Sequence, residues 1–271
     1  MGAIIEIFGQ REEVSQILIA GILIIFRVLP VVFVTPFLGG RLVPPTTKMG
    51  ISFVFAIVLF PHATAGITGA MHLNPVVFIV LMLKELFVGF VMAFVATEMF
   101  YAMEIGGRVL DVMRGSNMAE VQVPELQFRA SPLGGFLFQC LLMAFLAVGG
   151  HRIFILALAD SFALVPIDGW PAVSVGFASM VDAIVRYTSG LFTIAFALVF
   201  PGLFATFMTD VVFGMLNRVA PQLNAYFMAM GVKAMSAIAL LFFALGIVWD
   251  RLTELITIDL RFVQDVVRMF G

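Results

Sequence analysis

The chain has 271 residues, of which 62% are hydrophobic and 12% charged, with 30 Phe and 17 Met. Soluble domains carry roughly 25% charged residues, so 15 Lys/Arg and 17 Asp/Glu are too few to clothe a soluble body of this length. That excludes an ordinary cytosolic enzyme and a disordered chain, and a net charge of −2 excludes a nucleic-acid binder; an integral membrane protein, or a subunit buried in a membrane complex, remains.

A bilayer core about 30 Å thick needs roughly 20 apolar residues in helical form. The first sixteen residues include Glu6, Arg11, Glu12 and Glu13, and the apolar run that follows is too long for the core of a cleavable signal. Residues 17–38 therefore read as a first, retained helix. Further spans are expected at 76–103, 133–148, 191–216 and 220–248. Runs 49–60 and 153–165 fall short and read as half-helices, re-entrant pieces or protein-buried helices. Apolar runs this continuous favour helices over barrel strands, which would alternate in pieces of about ten residues. The predicted fold class is all-α, a polytopic helical subunit with broken and half-length helices.

The glycine pairs Gly39-Gly40, Gly106-Gly107 and Gly149-Gly150 each follow an apolar stretch and are expected to end helices. The longest stretch without a membrane-like run is 104–132, with seven charges: Glu104, Arg108, Asp111, Arg114, Glu120, Glu125 and Arg129. A loop of that length is functional or disordered, and its Val, Met and Leu residues argue against disorder. Loop charge does not give a consistent topology. Arg41 and Lys48 mark one side, but Arg152 falls where the alternation predicts the other, unless some segments do not span.

Arg27, Lys84, Glu85, Glu98, Asp210 and Lys233 lie inside apolar runs. A charge at a bilayer centre costs roughly 2.5–3.5 kcal/mol. Mixed signs scattered over several helices suit contacts between helices or subunits better than a proton pathway. Lys84 and Glu85 are adjacent and are expected to face different sides of their helix. Asp210 and Arg218 share a face loosely without touching. The last run contains NRVAPQLNAYF (217–227), where Pro221 removes a backbone donor amid Asn217, Arg218, Gln222 and Asn224. Residues 191–248 thus read as a hairpin of two helices with a buried polar docking elbow, and Pro201 adds a kink to its first arm.

No catalytic constellation is present. His62, His72 and His151 are dispersed without metal-ligand spacing, and no nucleophile elbow, phosphate loop or dinucleotide loop occurs. Neither an enzyme nor a cofactor or metal site is expected. Cys140 is the single cysteine and forms no internal disulfide. Most of the methionines read as adaptable core filler. Met113 and Met118, in the polar loop, equally suit a deformable seal facing a pore.

GRVLDVMRG (107–115), SPLG (Ser131, Pro132, Leu133, Gly134) and GMLNRVAPQLN (214–224) followed by Lys233 resemble the FliR/SctT family of type III secretion export-apparatus subunits. Asp111, Arg114, Gly115 and the SPLG segment look more like the injectisome branch than the flagellar one. The resemblance implies a single copy per helical assembly with two smaller partner subunits, forming the inner-membrane entrance portal for unfolded exported proteins. It implies residues 1–185 as a longer amino-terminal part and 186–271 as a carboxy-terminal hairpin and tail. Residues 106–132 would plug the closed channel, with Gly106, Gly107, Asp111, Met113, Arg114, Gly115, Met118 and Pro124 as plug candidates. Packing against partners would explain the half-length runs and charges, because protein rather than lipid would surround them. Implied partners are the other apparatus subunits, exported proteins and membrane lipid, without nucleic acid, at the bacterial inner membrane. A different class of reading is a stand-alone secondary transporter coupling through Glu98, Asp210 and Lys233; inverted repeats would support it, and none is visible.

Overall fold

The computed structural model describes residues 2–40, 43–65, 74–115, 131–170, 176–222 and 224–270. Among these lie seven helices and no strand: α1 (Gly2–Val34), α2 (Pro45–Thr64), α3 (Pro75–Met113), α4 (Pro132–Ala147), α5 (Gly150–Leu164), α6 (Phe177–Val219) and α7 (Ala225–Phe270). Four are long and apolar enough to cross a membrane: α2, α3, α6 and the Val14–Val34 part of α1. Counting α4 and α5 as one broken span gives five.

Prolines and glycines set most boundaries. Pro45 and Pro132 stand in the first turns of α2 and α4, where the missing N–H would be unbonded anyway. Gly149 separates α4 from α5 at φ +80°, a left-handed conformation that a side chain would strain. The hairpin turns at Ala220–Asn224, beside Pro221, as the elbow predicts. Pro201 lies inside α6.

Three expectations need correction. The run at 49–60 is not half a span: α2 extends it with Pro45 to Lys48 at one end and Pro61 to Thr64 at the other, reaching 20 residues. In the last turn, beyond Pro61, Thr64 Oγ1 donates to the Phe60 carbonyl at 2.8 Å. Gly106-Gly107 does not end a helix, because α3 runs through it to Met113. Residues 104–113 are consequently helical rather than loop.

The chain divides into two compact units. The first comprises Met1–Thr97, Gly149–Ile184 and Ile258–Gly271. Its core gathers Leu23, Ile24 and Val28 of α1, Leu81 and Met92 of α3, Phe154 and Leu158 of α5, and Val266 and Phe270 of α7. Phe37 meets Phe154 edge-on with centroids 5.1 Å apart, and Phe87 contacts both Phe177 and Phe270. The second unit comprises Glu98–Val148 and Val185–Thr257. There Phe100 of α3 packs between Phe138 and Phe145 of α4, and Leu191, Ala195 and Val199 of α6 are buried.

Candidate functional site

The segment singled out in the sequence is entered from the end of α3 and left through the start of α4. Both ends belong to the second unit, and one side chain joins them. Asp111 is 3% exposed. Its Oδ2 accepts from Ser131 Oγ at 2.5 Å and from the Leu133 backbone N–H at 2.9 Å. Its Oδ1 lies 2.7 Å from Arg114 Nη2, one turn along the same helix. Ser131 in turn accepts from the Gly134 N–H at 3.1 Å as the N-cap of α4. A carboxylate there satisfies an orphan donor and faces the positive end of the α4 dipole.

Glycines let the two helices come close enough for this clasp. A Cβ on Gly107 would lie 2.5 Å from the Gly134 Cα, and one on Gly134 would lie 2.7 Å from the Glu104 carbonyl oxygen. Gly106 faces the Ala195 carbonyl of α6, and Gly202 of α6 leaves the hollow into which Leu110 packs. Gly115 follows α3 at φ +84°, with Met230 of α7 beside it. The end of α3 is thus enclosed by α4 and both arms of the hairpin. Glu104 and Arg108 pair along the helix at 2.7 Å. Met113 is exposed, and Pro132 lies on the surface over buried Leu133. Met118, Pro124, Arg41 and His72 lie outside the described residues.

The charges within the apolar runs form three separate groups. In the first unit, Arg27 is bonded through Nε and Nη2 to Glu85, and Lys84 Nζ reaches Glu85 Oε1 at 2.7 Å. The expectation that Lys84 and Glu85 would not meet is therefore wrong. Adjacent helix positions diverge, but the four-carbon lysine stem bends back toward the same carboxylate. In the second unit, Glu98 accepts from Thr188 Oγ1, 2.9 Å from each carboxylate oxygen. Lys233 of α7 pairs with Asp210 of α6, joining the hairpin arms. Asp210, expected among the buried charges, is exposed on this chain. So are Asn217, Arg218, Pro221, Gln222 and Asn224, so the elbow is not buried in its own chain.

Sequence reasoning missed Ser161, Phe162, Gly89 and Thr188. Ser161, Phe162 and Thr188 each contact a charge from a different helix, Gly89 lies against the Arg27 backbone carbonyl, and nothing in the sequence signals such pairings. Among the described residues, no group of three or more His, Cys, Asp or Glu could hold a metal ion.

The profile of bacterial export proteins, family 1, matches residues 18–258. The chain is 32% identical over 219 residues to Yop proteins translocation protein T of Yersinia pestis, covering 80% of this chain and 79% of that one. It is 23% identical over 251 residues to the flagellar biosynthetic protein FliR of Bacillus subtilis, covering 92% and 95%. The surface presentation of antigens protein SpaR of Shigella sonnei is 26% identical over 230 residues, covering 85% and 86%. With its long apolar helices, the chain is a multi-pass protein of the bacterial inner membrane, and it belongs to family 1 of the bacterial export proteins, as its resemblance to FliR and SctT implies.

Proposed function

We propose that this chain is an export-gate subunit of a type III protein secretion system. With other membrane subunits of the apparatus it forms the entrance portal for unfolded exported proteins. It acts as a conduit part rather than as an enzyme. Residues 106–132 carry the plug of the closed channel: the helical end of α3 and the SPLG segment are its mount, and the residues between them, including Met118 and Pro124, are the obstruction. Arriving substrate displaces it, with energy supplied elsewhere in the apparatus.

The observation that carries this reading is the Asp111 clasp. A carboxylate buried within the second unit ties Ser131 and Leu133 to the last turn of α3. A connector serving only to link two helices needs no such neck. Names among the relatives, a translocation protein and a flagellar biosynthetic protein, support the export role.

The division into residues 1–185 and 186–271 belongs to the same proposal, with the hairpin as the part that mates with smaller helical subunits. Its arms expose Phe200, Phe204, Phe207 and Met215 on α6, and Met228 and Met235 on α7. Aromatic and Met side chains are enriched at subunit interfaces, and partner helices or lipid would cover them. The polar elbow around Pro221 would dock against a partner's backbone.

Deleting residues 118–124 leaves Asp111, Arg114 and Ser131 in place and tests the plug directly. The expected outcome is a raised ion leak across the inner membrane of cells whose export apparatus still assembles. An unchanged leak in assembled complexes would sink the plug reading.

A further inference from the structure

The buried charges of the first unit do more than neutralise one another. Arg27 carries five N–H donors, and all five are engaged. Nε and Nη2 bond Glu85, Nη2 also donates to the Val165 carbonyl at 2.7 Å, and Nη1 donates to Ser161 O at 2.8 Å and Ser161 Oγ at 3.1 Å. The guanidinium also stacks over Phe162, 4.2 Å from its centroid. Lys84 Nζ donates to the carbonyls of Pro166 at 2.8 Å, Ile167 at 3.3 Å and Gly169 at 2.8 Å. Five backbone carbonyls from 161–169 therefore face two cations that share one carboxylate.

Ser161 O also accepts from the Val165 N–H at 2.9 Å and Pro166 O from the Gly169 N–H at 3.3 Å, whereas the carbonyls of Val165, Ile167 and Gly169 are met by the clamp, for a reason internal to the sequence. Helix α5 stops at Leu164, and the last carbonyls of any helix lack intrahelical donors. Pro166 has no N–H with which to continue the ladder. Val165 and Ile167 are fully buried within this turn. The C-terminal end of a helix also favours a positive charge. Gly89 completes the fit: a Cβ there would overlap the Arg27 carbonyl oxygen and lie 2.8 Å from Pro30 Cγ, so only glycine lets α1 approach α3 this closely.

We infer that Arg27, Lys84 and Glu85 form an internal clamp that completes the C-terminal cap of α5 and fixes the turn at residues 165–169. Lys84 is its specific element, because it alone holds Pro166, Ile167 and Gly169. The same unit also holds the start of α6. Phe177, at the start of α6, packs on Phe87, less than one turn along α3 from Lys84.

Thiol labelling of the full chain, in membranes of cells that produce the whole apparatus and in a Cys140→Ser background, tests the clamp. Ile167→Cys reports the turn and Leu158→Cys reports the body of α5, both being buried. Lys84→Met is expected to raise the maleimide reaction rate at position 167 by about tenfold or more and to leave position 158 slow. Lys84→Gln, which removes the charge and at least one of the three contacts, serves if the Met variant does not accumulate, with the same expectation on a smaller scale. An unchanged rate at 167 would overturn the clamp. Equal acceleration at 158 and 167 would overturn it too, since the loss would then be general packing rather than a released turn.

Discussion

Two charged clusters lie along α3, and they are finished differently. Around Lys84 and Glu85, every Arg27 donor has an acceptor and the lysine has three carbonyls. Around Asp111, the carboxylate is well held, but Arg114 Nε has no partner among the described residues. A saturated buried network fixes one backbone arrangement, because every alternative strands a charge. The first cluster is therefore a structural anchor of the first unit, while the second ties the end of α3 to the start of α4.

The largest effect is expected at the saturated cluster. Glu85→Gln leaves two buried cations without a counter-charge, and breaking such a pair from one side typically costs about 3–5 kcal/mol. Arg27→Met with Glu85→Met leaves one buried cation, Lys84, without a counter-charge instead of two and is expected to cost less than the single change. Thermal unfolding of the purified assembly, with the amount of chain recovered from membranes, compares the two. If the double variant loses as much as the single one, charge pairing is not what the cluster contributes.

A middle-sized effect is expected at the neck. Gly107→Ala places a methyl group 2.5 Å from the Gly134 Cα, and overpacking of this kind costs about 1–3 kcal/mol. Gly135→Ala is the matched control, because a Cβ there meets nothing within 4 Å. If the two variants unfold at the same temperature, α3 and α4 do not cross as tightly as the glycines indicate.

This pair of glycines also shows where the sequence stops being legible. Helix class, the elbow at Pro221 and the break at Gly149 are local properties, and apolar run length with Pro and Gly placement reveals them. Gly106 and Gly107 look the same as Gly149 in sequence, yet they sit inside a helix. Gly107 answers to Gly134, 27 residues beyond it, and Gly106 to the Ala195 carbonyl, and a tertiary partner leaves no local trace. Helix α2 was underestimated because its polar ends, Pro45 to Lys48 and Pro61 to Thr64, hide a full-length helix behind a short apolar run. At the candidate site, Asp111 and Ser131 were legible as motif residues. Their mutual bond was not, because it joins two positions twenty residues apart.

The smallest effect separates a surface pair from both clusters. Lys233 and Asp210 join the arms of the hairpin, but the aspartate side chain is 47% exposed and the lysine 16%. An ion pair open to solvent contributes roughly 0–1 kcal/mol after side-chain entropy and screening. In the chain alone, a double-mutant cycle with Asp210→Asn and Lys233→Met is therefore expected to give a coupling of about 1 kcal/mol or less. In the assembled apparatus, a partner helix laid over the exposed face of α6 would exclude water from Asp210 and strengthen the same pair. A coupling that grows on assembly would mark Asp210 as an interface residue. A coupling that stays the same would leave that face of the hairpin open to water and remove Asp210 from the contact surface.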